Sequence, residues 1–66
     1  ESAALRRLLE GCRDALRPGG WMILSGIQSD EWEPFALDVV HSGFVLEAVD
    51  ADGEWCSGWF TRPALG

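Results

Sequence analysis

Lysine is absent from this sequence, and basic residues are scarce altogether. Five arginines stand against eleven aspartate and glutamate residues, which gives a formal net charge of −6. Proteins that bind nucleic acids or anionic membranes do so by neutralising phosphates with lysine and arginine. The charge balance therefore argues against direct nucleic-acid binding and against a role on an anionic membrane.

Cysteine is also rare, and long apolar runs are missing. Cys12 and Cys56 make neither a disulfide framework nor a metal set, which indicates a reducing, cytoplasmic setting. The longest apolar run, Trp21 to Leu24, is far too short to span a bilayer, and no signal peptide is recognisable. We therefore expect a cytoplasmic chain with no membrane partner.

The length allows one small domain or a piece of a larger one, since the chain has 66 residues. A hydrophobic content of 47% excludes a disordered chain. A chain of about 60 residues, however, buries only about 60% of its unfolded surface and is marginally stable alone. The sequence also opens at Glu1 without methionine and enters a helical pattern at once, so we expect residues 1–66 to be a portion of a longer protein. Trimming of a terminus is the alternative.

Two amphipathic helices are predicted, over residues 2–16 and 31–42. In the first, apolar residues recur at steps of three and four positions. These residues are Leu5, Leu8, Leu9, Cys12 and Leu16. Pro18 ends this helix, because the residue before a proline is pushed out of the helical region. The second has a wide apolar face from Trp32 to Val40, and Gly43 suits the left-handed position that ends a helix.

Three strands are predicted, over residues 21–25, 44–49 and 54–62. The first is a short apolar run that Gly26 is expected to end, and it is typical of a strand covered on both faces. Gly53 marks a hairpin between the other two. In the last strand Trp55 and Trp59 share one side, and we expect that side to pack under a helix.

The order helix, strand, helix, strand, strand predicts an α/β fold. A strand–helix–strand unit implies a right-handed crossover between two parallel strands. The final hairpin must then run antiparallel.

Most candidate functional residues have a simpler structural explanation. His41, the single histidine, falls near a helix C-terminus, where its charge interacts favourably with the helix dipole. Asp50, Asp52 and Glu54 crowd one loop, but the full twelve-residue calcium loop is missing. The glycine pair after Pro18 precedes a strand, whereas phosphate-binding loops lie between a strand and a helix. We therefore predict no catalytic residue and no metal ligand.

The remaining candidate is Ser25-Gly26-Ile27, at the carboxyl end of the first strand. Ligand crevices of open α/β sheets form at that end of parallel strands. On spacing alone, an ordinary strand-to-helix turn in which Gly26 serves only geometry is the favoured interpretation.

The segment from Leu16 to Ile27 carries a Pro-Gly-Gly turn, an apolar strand and a Ser-Gly-Ile ending. It resembles the late part of a class I S-adenosylmethionine-dependent methyltransferase domain. The Ser-Gly-Ile ending, a Gly-Phe strand start and Gly53-Glu54-Trp55 at the last strand are similar to the C-terminus of the PrmA family. That family methylates large-subunit ribosomal protein eleven. The departures from its pattern are Pro34 and the polar pair Ser57-Gly58.

This resemblance implies a Rossmann-like sheet in which strand 54–62 lies antiparallel between strands 21–25 and 44–49. It also implies S-adenosylmethionine as cofactor of the longer protein and a ribosomal protein as its substrate. The family's glycine-rich cofactor loop, its ribose-binding acidic residue and its Asn-containing motif are not found in these 66 residues. We therefore expect no cofactor-binding residue and no activity in this chain alone, with Ser25, Gly26 and Ile27 lining the substrate side of the cleft.

Two other functions are consistent with the sequence. The chain could be a small, non-enzymatic α/β interaction module, or part of a methyltransferase with a small-molecule substrate. In the 66-residue chain the strand that would precede strand 21–25 is absent. The free edge of strand 21–25, an apolar strand expected to carry no charge, proline or bulge, therefore predicts a homodimer formed by edge pairing.

Overall fold

Two helices and three strands follow one another along the chain. A computed structural model describes residues 2–64. Its elements are α1 (Ser2–Ala15), β1 (Trp21–Gln28), a single 3-10 turn (Ser29–Glu31), α2 (Trp32–His41), β2 (Val45–Asp52) and β3 (Trp55–Thr61). This arrangement confirms the predicted small α/β class. Neither described helix is long and apolar enough to cross a membrane.

The three strands form one sheet in the order β1-β3-β2, and β3 runs antiparallel to both neighbours. The last strand of the chain therefore lies in the middle, as the resemblance implies. The predicted end of the second strand at residue 49 is wrong, because Asp50 to Asp52 continue to pair with β3. A two-residue turn at Gly53 and Glu54 then joins β2 to β3, and Gly53 has a φ of +61°. The positive φ explains why a glycine stands there.

The helix ends agree closely with the prediction, and local chemistry explains them. Pro34 lies in the first turn of α2, where its missing N–H costs nothing. Gly43, with a φ of +104°, follows the last turn of α2. The hydroxyl of Ser42 donates a hydrogen bond of 2.8 Å to the carbonyl of Asp38, which satisfies a carbonyl at the end of this helix.

Both helices pack on one side of the sheet, which we call the helix face. The buried cluster there joins α1, α2, the residue before β2 and the middle strand. It consists of Leu9, Val39, Phe44 and Phe60. Met22 and Leu24 of β1 pack against this cluster from the edge of the sheet. The core thus lies between the helices and one side of the sheet only.

The expectation that Trp55 and Trp59 pack under a helix is wrong. Side chains alternate along a strand, and in β3 the buried members are Cys56, Gly58 and Phe60. Trp55 lies on the opposite side and is 51% exposed, while Trp59 is partly exposed. The helices cover the smaller side chains because Gly58 leaves room for the ring of Trp32 from α2.

Arg62 ties the end of the sheet to the end of α1. Its guanidinium donates hydrogen bonds to the carbonyl oxygens of Arg13 and Leu16. The Arg13 carbonyl also accepts the N–H of Leu16, and Leu16 directly follows the last residue of α1. Arg62 therefore adds hydrogen bonds at the C-terminal end of this helix, where carbonyl groups run out of partners within the helix. The backbone of Arg62 also exchanges two hydrogen bonds with Gly19 and Gly20, which fixes the turn before β1.

Replacing Gly58 by alanine is expected to destabilise the fold by about 1–3 kcal/mol, because an overpacked core must shift its neighbours. A methyl group at this position would collide with the Trp32 ring and lie 2.8 Å from the Phe60 ring. Urea unfolding followed by circular dichroism measures the change.

Gly11→Ala is the matched control. Gly11 is exposed within α1 and has open space around a methyl group, so this variant should gain about 0.5–1 kcal/mol. Equal unfolding midpoints for Gly58→Ala and the unmodified chain would contradict the close packing of Trp32 on Gly58.

Candidate functional site

The carboxyl end of β1 contains a β-bulge. Leu24 pairs with Gly58 and Ile27 with Cys56, so two residues of β1, Ser25 and Gly26, lie opposite the single residue between those partners. Gly26 has a φ of +78°, the left-handed conformation that one kind of bulge requires. The extra residue shifts the alternation of side chains along the strand by one position. Leu24 and Ile27 are therefore both half-buried, although they are three positions apart.

The predicted end of the first strand at Ser25 is therefore wrong. The strand continues through Gly26 and Ile27 to Gln28, because the bulge absorbs the glycine without ending the ladder. The prediction that this edge contains no bulge is also wrong.

The three candidate residues do not share one environment. Ser25 and Gly26 are exposed, whereas Ile27 is half-buried. A methyl group placed on Gly26 would meet no atom within 4 Å, so this glycine serves the backbone conformation. Ser25 and Gly26 lie on the surface near the end of β1, where a second molecule can reach them.

A shallow polar cavity of about 330 Å³ lies just beyond the bulge. The residues that line it come from the end of β1, the 3-10 turn and the β2–β3 turn. They are Gln28, Ser29, Asp30, Gly53 and Glu54. The Ser29 N–H donates a 2.7 Å hydrogen bond to the carbonyl of Glu54, and its hydroxyl donates one of 3.2 Å to that of Gly53.

Sequence reasoning missed this cavity. It treated the turn around Gly53 only as a hairpin and the segment around Ser29 only as a helix start. Their contact follows from the position of β3 beside β1, which no local pattern specifies.

Charge is strongly segregated along the chain. Residues 28–54 contain eight carboxylates and neither lysine nor arginine. Four of them lie close together in the 3-10 turn, at the end of β2 and in the β2–β3 turn: Asp30, Glu31, Asp52 and Glu54. All five arginines lie in residues 6–17 or at Arg62, and Arg13 and Arg62 line a second cavity at the opposite end of the sheet. The end of the sheet beyond the bulge is therefore acidic and attracts cationic groups.

The other candidates of the sequence take structural positions. His41 is exposed and is the last residue of α2. Cys12 is half-buried in α1 and Cys56 is buried in β3, both as free thiols. Within residues 2–64, no three His, Cys, Asp or Glu side chains are grouped so that they could hold a metal ion.

The chain matches a known protein family. A family model described as ribosomal protein L11 methyltransferase (PrmA) matches residues 2–63. A search among curated proteins finds no match. The family match covers nearly the whole chain and confirms the resemblance that the Pro-Gly-Gly turn and the Ser-Gly-Ile ending indicated.

Replacing Gly26 by alanine is expected to cost about 1–2 kcal/mol of stability, because an L side chain in the left-handed region brings its Cβ too close to the following carbonyl. Ser25→Ala, one position earlier on the same exposed surface, should change stability by less than about 0.5 kcal/mol. Urea unfolding distinguishes the two variants. Equal free energies of unfolding for both would show that β1 has no left-handed residue at position 26.

Proposed function

Because the chain belongs to the ribosomal protein L11 methyltransferase (PrmA) family, we propose that it forms the C-terminal part of an S-adenosylmethionine-dependent methyltransferase. The proposed reaction transfers methyl groups to amino groups of a ribosomal protein. The match of the family model to residues 2–63 carries this proposal. A ribosomal protein as substrate also supports a cytoplasmic location.

The sheet supports the assignment to a Rossmann-like methyltransferase domain. Its middle strand, β3, is the last in the chain and antiparallel to both neighbours. The outer edge of β1 has no partner strand within residues 2–64, so its N–H and C=O groups are free to pair. We propose that the sheet of the longer protein continues from this edge.

The described residues do not fit the cofactor by themselves. Where a glycine cradles a ligand, atoms of the ligand occupy the space that a Cβ atom would take. Here Gly20, Gly43 and Gly58 closely approach groups of the protein itself, and each of the other described glycines has a structural position on a turn, the bulge or α1. We therefore assign no step of methyl transfer to these residues and propose that the chain is inactive alone.

In the enzyme, this chain lines the substrate side of the cleft. Ser25 and Gly26 are exposed at the end of β1, and the half-buried Ile27 pairs with Cys56 of β3. The carboxylates Asp30, Glu31, Asp52 and Glu54 lie just beyond them. A substrate that presents amino groups is cationic, so this acidic end attracts it and accelerates its association.

The isolated 66-residue chain is expected not to bind S-adenosylmethionine. Titration calorimetry checks this directly. Saturable binding tighter than about 100 μM, which corresponds to about 5.5 kcal/mol, would contradict the assignment of the cofactor site to other residues.

In the longer protein that carries this chain, transfer of a radiolabelled methyl group from S-adenosylmethionine to the ribosomal protein is expected. Ser25→Trp should raise the KM for the ribosomal protein about tenfold, a loss of about 1.4 kcal/mol of binding, with the KM for S-adenosylmethionine unchanged. Ala3→Trp, at an exposed small residue of α1, is the matched control and should leave both constants unchanged.

The two parts of this proposal fail separately. An unmodified longer protein that transfers no methyl group to the ribosomal protein would overturn the proposed reaction. Normal transfer with the same KM in Ser25→Trp would overturn only the placement of Ser25 beside the substrate.

A further inference from the structure

The strand β2 lies at one border of the sheet and has a free edge. It pairs with β3 on one side, and no other strand within residues 2–64 lies on its other side. A bulge at Glu47 interrupts β2, but each residue from Ala48 to Asp52 pairs in register with β3. This part of the edge is regular, and its outward N–H and C=O groups are free to pair with a further strand.

On the helix face, an apolar groove of about 290 Å³ runs between α2 and β2 beside this edge. Its lining residues are Trp32, Glu33, Ala36, Leu37, Val40 and Leu46. Val49 lies opposite Gly58, so its side chain is on the same side of the sheet as the groove and extends the apolar surface along β2. Leu37 and Val49 are 57% and 47% exposed. The groove therefore offers apolar contacts to a chain placed beside β2.

On the opposite side of the sheet, β2 presents carboxylates. Asp52 lies opposite Trp55, so its side chain points away from the helices, and Asp50, two positions earlier, is on the same side. Glu47 reaches this side as well, where its carboxylate accepts a 2.8 Å hydrogen bond from the hydroxyl of Thr61. Within residues 2–64, no basic side chain forms an ion pair with these three carboxylates.

We propose that the free edge of β2 binds an extended protein segment in which apolar and basic residues alternate. Successive side chains of a strand point to opposite sides. The apolar side chains of the bound segment then lie over the groove, and its basic side chains lie beside Glu47, Asp50 and Asp52. Addition of a strand to an exposed edge is a common mode of peptide recognition, in which backbone hydrogen bonds give affinity and side-chain contacts give specificity.

Charge determines which kind of segment binds. A second copy of β2 is a poor partner, because it would set carboxylates against carboxylates, and like charges directly opposite one another destabilise a sheet. Opposite charges in those positions stabilise it. Residues 28–54 hold eight carboxylates and neither lysine nor arginine, so the whole neighbourhood of this edge attracts cationic chains. This inference depends on the geometry of β2 and α2 and not on the proposed methyl transfer.

The edge of β1 is the competing place for a strand to bind. Its regular part, Trp21–Leu24, carries no charged residue, so pairing there gives no preference for a basic segment. The two edges are therefore distinguished by the effect of charge and by the backbone amides that binding protects.

Titration of the isotope-labelled 66-residue chain with a short synthetic peptide of alternating valine and lysine, followed by nuclear magnetic resonance, tests the proposal. Saturable binding with a Kd tighter than about 1 mM is expected, together with slower hydrogen exchange of backbone amides within Val45–Asp52. A peptide of alternating valine and glutamate should bind at least about tenfold more weakly, since like charges then face one another.

The variant that combines Asp50→Asn with Asp52→Asn should bind the valine–lysine peptide at least about threefold more weakly, because two opposite-charge pairs are lost. The combination of Glu10→Gln with Asp14→Asn is the matched control. It changes the net charge equally, at exposed residues of α1 that do not line the groove, and should bind like the unmodified chain. If circular dichroism shows that the first variant is unfolded, Asp50→Asn alone replaces it.

Three results would overturn the proposal. The first is the absence of saturable binding of the valine–lysine peptide. The second is slower exchange confined to Trp21–Leu24, which would place the bound segment at the edge of β1. The third is equal binding of the two peptides, or undiminished binding by the folded aspartate variant, because either would show that the carboxylates of β2 do not select the partner.

Discussion

The packing of Phe60 between the helices and the sheet is the interaction on which the rest of the structure depends. Its side chain is fully buried in the middle strand. Its ring centroid lies 6.2 Å from that of Trp32 in α2 and 6.4 Å from that of Phe44, the residue before β2. Aromatic pairs at such distances contribute about 0.5–1.5 kcal/mol each beyond the burial of area. Phe60 therefore holds three parts of the chain at one point.

The packing of Phe60 also determines which side of the sheet the helices cover. Phe60 faces the same side as Gly58, and the ring of Trp32 occupies the space above that glycine. Since side chains alternate in a strand, Trp55 and Trp59 must then face the other way. On the helix face, the ring of Trp32 fits over the small residue Gly58. The opposite side of the sheet is left with large side chains such as Trp21 and Trp55, next to carboxylates of β2, and neither described helix covers it.

The order of the elements, the helix ends and the hairpin could be predicted because their signals are local. Gly43 and Gly53 have the positive φ values that their positions required, and the three-residue and four-residue steps of α1 and α2 define the buried sides of both helices. The strand signals were weaker. β3 has bulky residues on one side and Cys56, Gly58 and Phe60 on the other, and only the three-dimensional fit of Trp32 decides which side is buried. The bulge in β1 could not be predicted from the sequence either, because a glycine at position 26 is compatible both with the end of a strand and with a bulge inside it.

The candidate site was predicted only in part for the same reason. Ser25 and Gly26 lie at the surface near the end of β1, but inside the strand instead of in a turn after it. The acidic cavity beside them depends on β3 lying next to β1, which brings Gly53 and Glu54 to Ser29. Ser29 is 24 positions from Gly53 and 25 from Glu54 in the sequence, so the arrangement is a property of the sheet order.

The central claim is that the sheet has helices on one side and water on the other. Paramagnetic relaxation of the four indole rings by a soluble gadolinium chelate measures this most directly, at a protein concentration low enough to keep the chain monomeric. The account predicts fast relaxation of the Trp21 and Trp55 ring protons, which are 59% and 51% exposed as whole residues, and slow relaxation of those of Trp32, which pack on Gly58 and Phe60. Slow relaxation of Trp21 and Trp55 together with fast relaxation of Trp32 would contradict it.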